Sequence, residues 1–304
     1  MAQEVLFLPQ GVWRADYSYS RKERKNIFES GRSKDSILER KRKKEGIPSG
    51  QVSGSISQES TEHTLEFHYG LTRKFNLGLK IPHYSKKRNA DTLKDNQGSN
   101  GAFIEANRSA SAEGMGDIEI AFSGRWLYTD EHDVRIGLLY NHDNAPYNFE
   151  NSRELPIGTG CREVSLFFHW IRYAIASNLH TKFLFLEMFT MDGKTKDALA
   201  EKKTIQRSNS RKIHLTVATN HREWHYGFGI RFSDQAGTVI GGVGQKDGSL
   251  SYTYELFFDY GNLYRLERGA IASPWRAGFR YGSVVAGSNA YDTTEIGFRV
   301  ARFF

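Results

Sequence analysis

The chain ends Tyr291-Asp292-Thr293-Thr294-Glu295-Ile296-Gly297-Phe298-Arg299-Val300-Ala301-Arg302-Phe303-Phe304. Ile296, Phe298, Val300 and Phe304 fall on one face at a period of two, and Glu295, Gly297, Arg299 and Ala301 fall on the other. That period is the signature of a β-strand with one apolar and one polar face. Soluble sheets seldom stop on a terminal aromatic, whereas a bacterial outer-membrane barrel often does, because its last strand closes against its first. Arg302 interrupts the apolar face near the chain end, where a long cationic side chain reaches the membrane interface.

Composition agrees with this reading. The mean hydropathy is -0.58, and no apolar run is long enough for a helical span. Yet aromatics make up 13% of the 304 residues, with 20 Phe and 15 Tyr against 6 Pro. A membrane barrel has this look: half of each strand faces lipid, so hydropathy stays low while aromatic girdles raise the Phe, Tyr and Trp counts. Cys161 is the only cysteine, which excludes an intrachain disulfide and a cysteine-based metal cluster. The formal charge is +7, from 42 basic and 35 acidic residues, and it favours anionic partners. Met1-Ala2-Gln3-Glu4 reads as a mature N-terminus behind an added Met, so a secretory signal is expected to have been removed.

Working back from the C-terminus, alternation recurs in twelve segments. They centre on Trp13–Tyr19, Leu65–Tyr69, Phe75–Ile81, Ile118–Trp126, Val134–Tyr140, Val164–Trp170, Leu179–Phe185, Ile213–Val217, Trp224–Phe232, Leu250–Phe258, Trp275–Tyr281 and the closing strand. The connections run long, short, long, short, as in a barrel with long outer loops and tight periplasmic turns. An even count puts both termini in the periplasm. Gly261 to Pro274 is the exception, being long for a periplasmic turn. A soluble sandwich also alternates, but its core would favour smaller aliphatics over Trp and Tyr. The prediction is therefore a single domain over residues 1–304, all-β, a transmembrane antiparallel up-and-down barrel of about twelve strands in the outer membrane.

Four stretches carry a resemblance: L-P-Q-G-V-W-R at Leu8–Arg14, H-Y-G-L-T-R-K-F-N-L-G-L-K-I-P at His68–Pro82, G-M-G-D-I-E-I at Gly114–Ile120 and L-P-I-G-T-G at Leu155–Gly160. The chain resembles bacterial outer-membrane transporters associated with the meta-pathway of phenol degradation, and related barrels without assigned function. The likeness covers most of the first 160 residues and is thinner beyond. It implies passage of small molecules and transfers no active-site residue. It also implies the barrel-assembly machinery as the partner that recognises the closing strand during insertion.

The inward faces are where chemistry would sit. The candidate pore-lining residues are Arg14, Lys80, Arg125, Arg135, Arg231, Glu255, Arg276, Arg280, Glu295 and Arg299. Lys182 joins them on the basic side, and Asp16, Glu66, Asp117, Glu119 and Glu163 are further inward acids. Arg276, Arg280, Arg299 and Arg14 come from strands that adjoin on closure, which would set a basic stripe down one wall. Such a stripe selects anions; alternatively, these arginines pair with the inward acids and fill the lumen. Inward Gly70, Gly78, Gly137, Gly227, Gly229, Gly278 and Gly297 either widen a channel or permit sharp coiling and close packing of a neighbour's side chain, and the second role is the commoner. Arg21 to Lys44 holds eleven Lys or Arg against four acids and reads as a solvated outer loop or a clamp for lipopolysaccharide phosphates. Aromatics, which stacking on nucleic acid requires, are nearly absent from it, so no nucleic-acid partner is expected.

No H-E-x-x-H is present, and G-G-V-G at Gly241–Gly244 is not followed by the Lys of a phosphate loop. Ser165 and His169 share a face but lie four residues apart, too far along a strand to hydrogen-bond. No cofactor or metal is expected, and the chain does not read as an enzyme. The function expected is passage of a small anionic or aromatic solute among outer-membrane lipids and lipopolysaccharide. Two alternatives stand beside it: a barrel with a filled lumen whose outer loops bind a partner or surface glycolipid, and an outer-membrane hydrolase.

Overall fold

The computed structural model describes the chain except for residues 1–6, 91, 146–154, 175–177, 192, 197–201, 207–208, 222, 241–242, 245–247 and 263–273. Twelve strands form the wall: β1 (Trp13–Ser30), β2 (Ser57–Gly70), β3 (Phe75–Asn89), β4 (Ile118–Tyr128), β5 (His132–His142), β6 (Glu163–Ala174), β7 (Leu179–Thr190), β8 (Ser210–His221), β9 (Trp224–Gln235), β10 (Ser249–Gly261), β11 (Trp275–Ser288) and β12 (Ala290–Phe303). Each pairs antiparallel with its neighbour in sequence. β1 pairs with β12 as well as β2, so Tyr17 lies opposite Val300 on one side and Leu65 on the other. The sheet thus closes and presents no edge, which is what a β-structure needs in lipid. All twelve expected strands are present.

The alternation sorts side chains as the sequence suggested. Tyr17, Leu65, Phe67, Leu77, Leu79, Ile120, Phe122, Phe228, Ile230, Leu256, Phe298 and Val300 stand exposed on the outside. A belt of this kind is unfavourable in water and natural in hydrocarbon. The five tryptophans, Trp13, Trp126, Trp170, Trp224 and Trp275, all sit outward near the end of the barrel that holds the short turns. With Phe75, Tyr128 and Phe304 they make one aromatic rim, the place where an amphipathic ring bridges lipid and water. The C-terminus lies in this rim, as Phe304 and Trp13 exchange backbone hydrogen bonds of 2.9 and 3.1 Å.

At the other end, β1, β2 and β3 run 18, 14 and 15 residues, longer than a tilted membrane strand requires. Their tips carry the outer loops. Helix α1 (Ile37–Lys44) is capped by Ser36, whose hydroxyl accepts from the Glu39 amide at 3.1 Å. Helix α2 is Gly101–Asn107. Ile27, Ile37, Leu38, Val52, Ile56, Ala90 and Phe103 pack together as a small apolar core above the barrel. The basic run at Arg21–Lys44, read from sequence as a solvated loop, is thus partly strand and partly a helix docked by Ile37 and Leu38.

Two details differ from the sequence reading. The outer connections are not all long: Asn289, at φ 53°, alone separates β11 from β12. That tip is pinned to β1, since Gly287 N–H donates to Gly31 O at 2.8 Å and the Ser288 hydroxyl donates to Glu29 O at 3.3 Å. Asp117 is not a lumen residue but a loop fastener. Its carboxylate accepts from the Ala145 amide at 2.9 Å and the Thr159 amide at 2.6 Å, tying the outer loops on either side of β4 and β5. The long Gly261–Pro274 connection falls mostly outside the described residues.

Candidate functional site: the barrel lumen

The lumen divides into two halves. The periplasmic half is packed with ion pairs. Asp16, on β1, accepts from Arg14 at 2.5 Å and from Arg299, on β12, at 2.6 and 2.9 Å. Asp133, on β5, takes Arg135 of its own strand and Arg125 of β4, the latter at 3.1 Å. Asp259, on β10, takes Arg276 of β11 and lies 3.0 Å from His225 Nδ1; His225 in turn meets His180 Nε2 at 3.1 Å. Each acid sits where the strand register puts it beside the arginines of its neighbours. Asp16 and Asp133 are almost fully buried, and an unpaired charge there would cost several kcal/mol.

Residues 7–12, just before β1, narrow this half from below. Leu8 is buried against Ala301 and Phe303. Phe7 lies under two guanidinium groups, its ring 4.1 Å from Arg125 and 5.7 Å from Arg135. Gly70 accepts this segment closely: its N–H donates to Val12 O at 3.0 Å, its carbonyl accepts from Gly11 at 2.8 Å, and a Cβ there would collide with the Pro9 carbonyl. The stretches Leu8–Arg14 and His68–Pro82 therefore meet in space, as do Gly114–Ile120 and Leu155–Gly160 through Asp117 and Thr159. These motifs hold the N-terminal segment and the outer loops in place.

The outer half is hollow. A cavity of about 410 Å³ is bordered by residues from all twelve strands except β2. Lys80, Arg231 and Glu295 of the sequence candidates line it. Arg231 pairs with Glu255 at 2.9 Å, Lys80 with Glu62 at 3.4 Å, and Glu295 with Lys22 at 3.7 Å. Arg14, Arg125, Arg135, Arg276 and Arg299 belong to the packed half. Arg280 faces inward on β11, opposite Phe257 and Gly297. Of the proposed basic stripe, Arg14 and Arg299 share one aspartate while Arg276 takes another, so those charges are largely balanced in place.

The inward glycines make room for neighbours. A Cβ on Gly278 would collide with the Asp259 carboxylate, and one on Gly137 with the Phe167 ring. Ser165 and His169 both border the cavity. The nearest approach to a metal-ligand cluster among the described residues is Asp16, Glu66 and His68. Arg14 and Arg299 already occupy Asp16, so that cluster is satisfied by cations of the chain itself.

Reasoning from sequence overlooked two features of the cavity. Arg24 and Lys212 line it with no hydrogen bond or ion pair to a described residue, although the Arg24 guanidinium stands 5.1 Å from the Tyr291 ring. One wall is apolar, made by Leu139, Phe167, Leu184, Leu186 and Met188. Its signal was in the sequence: in Lys182-Phe183-Leu184-Phe185-Leu186-Glu187-Met188-Phe189 both faces of β7 are apolar, and alternation fails.

No family model matches the chain, and no curated protein matches it either. Among solved structures, an outer membrane channel from Pseudomonas putida F1 superposes with a TM-score of 0.74 at 12% identity, over 100% of both chains. The translocator domain of the autotransporter NalP from Neisseria meningitidis follows at 0.48, with 8% identity over 98% of this chain and 89% of that one. The TodX monoaromatic hydrocarbon channel, in a mutant form, reaches 0.46 at 9% identity over 98% and 90%. At such identities the P. putida likeness speaks for the fold, a closed twelve-stranded barrel of the bacterial outer-membrane type.

Proposed function

We propose that the chain is an outer-membrane channel for a small solute. The observation that carries this is the cavity of about 410 Å³ in the outer half of the lumen, bordered by polar and charged side chains and by one apolar wall. A purely structural barrel of this width would gain by filling that space with side chains, as its periplasmic half does. The fold shared with a protein described as a channel supports the same reading. The inward candidates Lys80, Arg231 and Glu295 border the path at the cavity. Below it, Arg14, Arg125, Arg135, Arg276 and Arg299 form the packed constriction that a solute must pass, and Glu255 stands beside Arg231 at the cavity. The single chain acts as one domain, with outer-membrane lipid around it and the outer loops at its mouth. A link to aromatic degradation is the finer form of this proposal, and it rests on the resemblance of the first 160 residues.

The test is solute-driven swelling of proteoliposomes. Liposomes holding the refolded protein should swell in small solutes at rates that fall with solute size, and those holding heat-unfolded protein should not. Equal rates in the two preparations would overturn the channel. The packed periplasmic half favours the second reading, a barrel with a filled lumen and binding loops, and that result would select it.

A further inference from the structure

The apolar wall of the cavity runs directly into Lys212. Strand register places Phe167 of β6 opposite Leu186 of β7, and Leu186 opposite Lys212 of β8. Directly paired residues share a face, with Cβ atoms about 5 Å apart. An aromatic ring, a leucine and an ammonium group therefore form one inward row about 10 Å long. Leu184 and Met188 lie on the same face of β7, one pleat to either side. A wetted lumen has no use for an apolar wall of this kind, because apolar surface left in water forgoes roughly 25 cal/mol per Å². Lys212 is equally unspent: it has no hydrogen bond or ion pair to a described residue. The carboxylates that share the cavity make no ion pair with Lys212. Glu295 meets Lys22 at 3.7 Å and Glu163 accepts from Asn141 at 3.1 Å; Glu119, on β4, borders the same cavity, and it and Glu163 are near enough to attract the Lys212 charge without pairing with it.

We infer that this row is a binding site for an amphipathic monoanion, a carboxylate carried on a single ring or a short hydrocarbon body. The body lies on Phe167, Leu186 and the side chains flanking them, and the carboxylate is met by the Lys212 ammonium, a charge-assisted pair in a partly enclosed space. The site deepens the channel reading and rests on it for its purpose, since a solute held midway is one on its way through. It also accounts for the break in alternation on β7, which a pore for small inorganic ions does not require.

The experiment is calorimetric titration of the folded protein in lipid nanodiscs with three probes. Benzoate has both ring and charge, benzyl alcohol the ring alone, and acetate the charge alone. Benzoate should bind at least tenfold more tightly than either. Lys212→Met should weaken benzoate about tenfold and leave benzyl alcohol unchanged, while Leu186→Asn should weaken both. Should Lys212→Met fail to insert, Lys212→Gln serves in its place. Equal affinity for benzoate and acetate, no binding of benzoate, or indifference of benzoate to Lys212 would each overturn the site. Conductance recorded on the same preparation separates the two ideas. Binding without conductance sinks the channel and keeps the site, and conductance without binding sinks the site alone.

Discussion

At the scale of single residues, the charges tell most. In the outer loops, Lys41 donates to Asn107 Oδ1 at 2.6 Å, linking α1 to α2. Burial, with Arg88 and Lys44 nearby, pushes its ammonium down from the ordinary 10.5 to about 8. A lysine whose folded pKa lies below its unfolded one holds its proton less well when folded. The docked helix pair is therefore disfavoured by the charge below pH 8, and gains stability as pH rises from there toward 10.5. Reaction of Lys41 with an acylating reagent, followed by mass spectrometry, should show a midpoint near pH 8 in the folded protein. A midpoint near 10.5 would refute the burial. In the lumen, Gly278→Ala should cost roughly 1–3 kcal/mol by overpacking against Asp259, seen as a lower urea midpoint for loss of the folded gel band. These positions were not legible in the sequence. Alternation told which side chains share a face; it could not tell which acid each arginine would meet, because that depends on register between strands, some of them far apart in the chain. Arg14 and Arg299 share Asp16 across 283 positions of sequence.

Whole elements were easier to read. Each strand announces itself by period two, and the closing one by its terminal aromatic. Where elements ended was less plain. β1 to β3 continue past the membrane because their polar upper halves pair with one another, as at Arg21–Thr61 and Thr61–Ser85. Alternation of polar with polar residues leaves no hydropathy signal. The turn at Asn289 was hidden for a similar reason: nothing in Gly287-Ser288-Asn289-Ala290 distinguishes one left-handed residue from a longer loop. The outer core tests this level. Phe103 is buried among Ile27, Ile37 and Leu38 and their neighbours. Phe103→Ala should cost about 3–5 kcal/mol locally, releasing α1 and α2 while leaving the barrel intact. Protease added outside proteoliposomes should then cut between residues 31 and 56 far faster than in the parent protein, with the barrel fragment still protected. An unchanged cutting rate would show that the helices are not held by this core.

For the whole molecule, the belt of outward apolar residues, the tryptophan rim and the closed sheet make one consistent object. Lipid accounts for its outside, and ion pairs for half of its inside. The remaining space is what the proposed channel would use. The chain before β1 narrows the other end, through Leu8 against Ala301 and Phe303 and through Phe7 beneath Arg125 and Arg135. Placing a charge at Leu8 should unseat that segment and widen the path. The most direct test is single-channel recording of the refolded protein in planar bilayers, beside its Leu8→Asp variant. The account predicts small discrete steps for the parent protein and larger ones for the variant. Silent bilayers for both, with insertion and folding verified on the same samples, would contradict it.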